Sequence, residues 1–97
     1  MPLMQQEVET NVMQSTWDEE RDGDRIAAQR TRVWRVMLDR RWHTLGDISM
    51  TTGDPEASIS ARLRDFRKSK FGSHTVNRRF VSRGLWEYQL EVNHEGV

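Results

Sequence analysis

The stretch TTGDPEASISARLRDFRKSKFG, residues 51–72, decides how the chain reads. It holds five basic side chains, Arg62, Arg64, Arg67, Lys68 and Lys70, against three acidic ones, behind a Gly53-Asp54-Pro55 break. Asp54 is a good N-cap, and Pro55 suits a first helical turn, where a missing N–H costs nothing. On a helical wheel Ile59, Leu63 and Phe66 share one face, with Ala57, Ala61, Arg64 and Lys68 opposite. The spacing predicts a helix with an apolar side and a basic side, closed by Gly72.

Working outward, the segment before it reads as two more helices. The first is expected from Asp24, as N-cap, to about Arg40, with Ile26, Val33 and Met37 in line and Trp34, Val36 and Leu38 widening the stripe. "RRWHTL" reads as a short extended connection. Thr44 with Asp47 three residues on approximates a capping box for a short helix, "LGDISMTT", whose inward residues are Leu45 and Ile48.

After Gly72 the period changes. "HTVNRRFV" and "LWEYQLEV" read as two strands joined through Ser82-Arg83-Gly84. In the second, Trp86, Tyr88, Leu90 and Val92 alternate with Glu87, Gln89 and Glu91, a half-buried pattern. In the first, Val76 and Phe80 share one face with Arg78 between them, which makes Arg78 an inward, structural ion-pair candidate. Trp34, Trp42, Trp86, Tyr88, Phe66 and Phe80 are expected in the core rather than as stacking platforms.

Ninety-seven residues make one domain, or one domain with a tail. Hydrophobic content is 35% and charged content 31%, wet for a globular chain but short of wholly disordered. Without cysteine there are no disulfides or thiolate zinc sites, and a reducing, cytoplasmic compartment is the expectation. No apolar run is long enough for a membrane span. The zero net charge hides an asymmetry. Residues 1–24 carry seven acidic side chains against one basic, a net −6; residues 25–97 carry fourteen basic against eight acidic, a net +6. An acidic arm on a basic body points to nucleic acid. Within the arm, Met4, Val8 and Val12 sit four apart, compatible with a short amphipathic helix or with a disordered arm. Trp17 has no domain of its own to bury it. The expected organisation is an acidic arm over 1–23, a folded domain over 24–92 and a polar tail over 93–97.

The order helix, short strand, helix, turn, helix, hairpin, with a basic third helix and an arginine at the hairpin tip, resembles the winged helix-turn-helix fold. "TLGDISMTTGDPEASISARLRDFRK" followed by "FGSHTVNRRFVSRGLWEYQL" looks most like the small winged-helix proteins of bacteriophages and prophages. Arg62 departs from the pattern, standing where a simple helix-turn-helix places an aliphatic residue. The resemblance implies an α+β fold and sequence-specific binding of double-stranded DNA, as a small regulator or a DNA-transaction accessory factor near the bacterial nucleoid. It also implies pairing into a homodimer through the first helix or the arm.

The residues fit that chemistry. Phosphates are neutralised by Arg and Lys, and bases are read by short polar or forked side chains on one helical face. Ala57, Ser58, Ser60, Ala61 and Arg64 are the base-proximal candidates. Thr44, Arg62, Arg67, Lys68, Arg79 and Arg83 are the backbone candidates. His43, His74 and His94 are isolated and show no metal-ligand spacing, and no nucleophile or glycine-rich phosphate motif is present. No catalytic, metal or cofactor role is expected. The alternative reading is a protein-interaction module that uses the same scaffold to grip a host protein.

Overall fold

The computed structural model describes residues 19–96. The readings of Met4, Val8, Val12 and Trp17 lie outside the described residues. The fold is α+β: α1 (Glu19–Met37), β1 (His43–Thr44), α2 (Leu45–Thr52), α3 (Glu56–Asp65), β2 (Thr75–Ser82) and β3 (Leu85–Glu91). Short 3-10 turns lie at Ser69–Phe71 and His94–Gly96. The sheet is antiparallel with order β1-β3-β2, so the last strand is central. Three helices and a three-stranded antiparallel sheet in this order are compatible with a winged-helix arrangement.

The start of α1 differs from the sequence reading. Asp24 lies inside the helix, which begins five residues earlier at Glu19. Acidic residues favour a helix N-terminus, because its unpaired N–H groups carry partial positive charge. "EERDGD" therefore extends the helix, and Gly23 does not stop it. The boundary expected between residues 23 and 24 falls within one element. At the other end α1 stops at Met37, short of Arg40, and Arg40 itself has φ 65°.

The capping box of α2 is present: the Asp47 N–H donates to Thr44 Oγ1 at 3.0 Å, and the Thr44 N–H donates to Asp47 Oδ2 at 3.2 Å. Gly53 ends α2 at φ 80°, its N–H donating to the Ser49 carbonyl at 2.8 Å. A left-handed residue at that position is what glycine supplies without strain. The α3 cap is a correction. Pro55, not Asp54, is the N-cap residue, and no side chain caps the helix. The Asp54 carboxylate is instead claimed by α1: Arg32 Nη2 and Nε donate to it at 2.7 and 3.0 Å, and Gln29 Nε2 at 3.3 Å.

Val33, Met37, Ile48, Ile59, Leu63, Phe66, Val76 and Leu90 form the buried core, drawn from all three helices and the hairpin. Trp34 packs at its edge, 5.2 Å from the Phe66 ring and 4.9 Å from His74, measured between centroids. The aromatic expectation holds fully for Phe66 alone. Trp34, Trp42, Trp86 and Tyr88 are half-buried, and Phe80 is 58% exposed. The reason is register. Across the hairpin Val76 pairs with Leu90, Arg78 with Tyr88 and Phe80 with Trp86, all on the core-facing side. The first pair lies in the helices' core, Tyr88 packs against its edge, and Phe80 and Trp86 run on beyond it.

Candidate nucleic-acid interface

Two kinds of arginine are present on this body. One kind is consumed by structure. Asp65, buried in the last turn of α3, meets Arg30 Nη2 at 3.0 Å, Arg62 Nε at 3.0 Å and Lys68 Nζ at 3.1 Å. Burial pushes the Asp65 carboxyl up, but hydrogen bonds from Lys68 and Arg30 and the nearby guanidinium charges outweigh it and hold it below the usual value. Asp54 is likewise lowered, chiefly by its hydrogen bonds from Arg32. Together the two aspartates tie α1 to the turn before α3 and to the end of α3.

Arg62 is therefore not an exposed cation. Its side chain is only 14% exposed; Nη1 donates to Gln29 Oε1 at 3.3 Å, and Nε faces Asp65 without an aligned hydrogen bond. The departure from the aliphatic pattern at this position has a cause: the site lies against α1, where an ion pair replaces an apolar contact. Ser58 turns to the same side, and with Ala57, Ala61 and Arg62 it lines a concavity against Arg25, Ile26 and Gln29 of α1. Lys68 is half committed, bonded to Asp65 yet 56% exposed.

The other kind is unpaired. Arg64 and Arg67 are exposed, and neither has a carboxylate partner among the described residues. Ala57 is exposed, and Ser60 and Ala61 half-exposed, on the outward side of α3 beside Arg64. Arg64, Arg67 and Ser60 form one wall of a cleft of about 290 Å³ whose other wall is the hairpin, with Arg78, Tyr88, Val76 and Leu63 completing the lining. No carboxylate of the described residues lines it.

Arg78 belongs to this cleft and was missed by the sequence reading. It is on the core-facing side of β2 as the alternation implies, but it is exposed, and its guanidinium lies 4.6 Å from the Trp86 ring centroid. It has no ion-pair partner among the described residues. The usable signal was strand length: β2 has eight residues, more than the helices can cover. Arg79 is on the outer face, donating to Glu87 Oε1 at 2.8 Å and stacked 4.3 Å from the Trp42 ring centroid.

Arg83 is at the tip, and with Gly84 it forms a two-residue turn with φ 38° and 78°. Two successive positive φ values match the type I′ turn, which prefers Asn or Gly at the first position. Thr44 lies outside the cleft, half-buried in a neighbouring concavity with Gly84, Leu85 and Trp86, its hydroxyl already accepting the cap hydrogen bond. No helix among the described residues is long and apolar enough to cross a membrane.

Comparison with known proteins returns no matching family model, no matching curated protein and no matching solved structure.

Proposed function

We propose that this chain is a winged helix-turn-helix protein that binds double-stranded DNA. In this reading α2 and α3 form the helix-turn-helix, α3 enters the major groove, and the β2–β3 hairpin is a wing lying along the backbone or in the minor groove. The observation that carries the reading is the sorting of the cations. Arg30, Arg62 and Lys68 are held by Asp65 and Arg32 by Asp54, where α1 meets α3, while Arg64 on α3, Arg67 just beyond it, and Arg78 and Arg83 on the hairpin have no carboxylate partner among the described residues. Exposed cations without carboxylate partners on α3 and the hairpin are what contact with a polyanion requires. Ala57 and Ala61 add to this, because their small side chains let a helix approach base edges closely. Phage origin and a regulatory or recombination role rest on the sequence resemblance alone.

A selection from random duplexes by gel shift tests the reading and yields the site. Arg64→Ala is expected to cost about 1 to 3 kcal/mol on the selected site and to relax preference at one base position, as for a bidentate guanine contact. Equal loss on every sequence would make Arg64 a phosphate contact. No duplex binding by the wild type at low salt would end the proposal. A specific feature supports the host-protein alternative: Phe80, Val81 and Leu85 on the hairpin are 58%, 46% and 46% exposed. Binding of a host protein with no retained duplex would favour it.

A further inference from the structure

The hairpin's outer aromatic pair, exposed Phe80 and half-buried Trp86, is unexplained by duplex binding. Phe80 and Trp86 are cross-strand neighbours with ring centroids 5.5 Å apart and planes at 73°. They continue the core-facing side of the sheet directly outward from Arg78 and Tyr88. Residues two apart on a strand are separated by about 6.8 Å, so cation and ring alternate at close spacing along this face. Across the cleft from Arg78 and Tyr88 stand Ser60 and Arg64 on α3 and Arg67 just beyond it; Phe80 and Trp86 lie past the cleft's lining, Trp86 beside a neighbouring concavity that includes Glu56.

A duplex offers this surface little. Its bases are stacked, so only their edges are presented, and its backbone is anionic, where an apolar ring has nothing to contact. A core role is also excluded, since Phe80 is more than half exposed. The ligand that matches a cleft of arginines without carboxylate partners among the described residues, continued by one open ring, has anionic groups and a flat apolar face close together. That is a nucleotide whose base is unpaired. Proteins that hold single strands combine a cationic groove with aromatic stacking in this way.

We propose that the groove between α3 and the hairpin is a seat for single-stranded DNA. Arg64, Arg67 and Arg78 take the phosphates, and Phe80, backed by Trp86, stacks a base. Trp86 is already faced by the Arg78 guanidinium, so Phe80 supplies the open ring. The site goes beyond the duplex reading and stands without it; because both use Arg64, duplex and single strand compete for the protein if both hold.

The test titrates the full chain with an oligothymidylate of about ten nucleotides, within the usual range of single-strand site sizes, and reads tryptophan fluorescence. The same is done with an oligouridylate and with a duplex. Saturable binding of the oligothymidylate is expected. Phe80→Leu, which keeps bulk and apolarity without the ring, should weaken it about tenfold, while Phe80→Tyr should leave it within about twofold. Arg78→Ala should flatten the single-strand salt slope by about 0.7. Duplex affinity should be unchanged in both Phe80 variants. Absence of oligothymidylate binding at low salt overturns the proposal. So does equal loss in Leu and Tyr variants, or equal loss on duplex and single strand, which would make Phe80 a wedge or a structural residue. Binding of the oligouridylate alone would reassign the groove to RNA. Oligothymidylate binding without duplex binding would uphold this site and remove the duplex reading.

Discussion

Arg83 combines a backbone cost with an exposed charge. A non-glycine residue at φ 38° is strained, and the turn it occupies would be relaxed by Asn or Gly. Strain of this kind persists where the side chain has a use, and an exposed guanidinium at a hairpin tip has little structural work. The two roles separate experimentally. Arg83→Asn is expected to leave thermal stability equal or higher, by up to about 1 kcal/mol, because Asn tolerates the left-handed conformation. The same variant should weaken duplex binding on cognate and random sequence alike and flatten the log–log salt slope by about 0.9. A parallel fall in stability and affinity would show instead that Arg83 holds the hairpin together. Arg78 and Arg79 show why adjacent arginines need not share a role: strand alternation sends one to the cleft and the other to Glu87 and Trp42.

Among the elements, α2 depends most on its ends. It has eight residues, too few to be stable by propensity alone, and it contributes a single fully buried side chain, Ile48. The Thr44–Asp47 capping box satisfies N–H groups that would otherwise lack partners, and Gly53 closes the other end. Thr44→Ala should therefore lower the unfolding free energy by about 1 kcal/mol, measured by urea denaturation. Thr44→Ser should recover most of it. A loss confined to DNA affinity would instead make the Thr44 hydroxyl a phosphate contact. Elements of this sort were legible in the sequence, because a capping box, a left-handed glycine and a helical stripe are local patterns. What was not legible depended on distance in the chain. Asp54 had every local mark of an N-cap, yet Arg32, twenty-two residues earlier, takes its carboxylate. Arg62 looked like an exposed cation until α1 placed Gln29 beside it and Asp65 claimed its charge. Phe80 fell on the inward side of its strand, and no local pattern reveals where the body under that strand ends.

At the scale of the whole molecule, α1 is fastened to α3 and its preceding turn by a modest core and by two aspartates that are nearly buried. That arrangement has a defined pH dependence. Both carboxyls are held below their ordinary value in the folded state, Asp54 by hydrogen bonds from Arg32 and Asp65 by Lys68 and Arg30 in opposition to burial. A group lowered on folding stabilises the fold fully above its unfolded pKa, about 3.9 for aspartate, and that stability is lost as pH falls through the folded value. The melting temperature should thus hold steady from neutrality to about pH 5 and fall progressively below it. Asp65→Asn removes one of the two groups and leaves Arg30, Arg62 and Lys68 clustered without their shared anion. It should cost about 3 to 5 kcal/mol at pH 7, the usual penalty for breaking a buried pair from one side, discounted towards the lower end because Lys68 and Arg30 reach solvent. Its melting temperature should also fall less steeply with acid than that of the wild type, since one proton-linked term is gone. Thermal scans monitored by circular dichroism from pH 7 down to about 3 decide the matter. A wild-type melting temperature that stays flat across that range would mean that Asp54 and Asp65 do not hold α1 in place, and that the apolar core alone does.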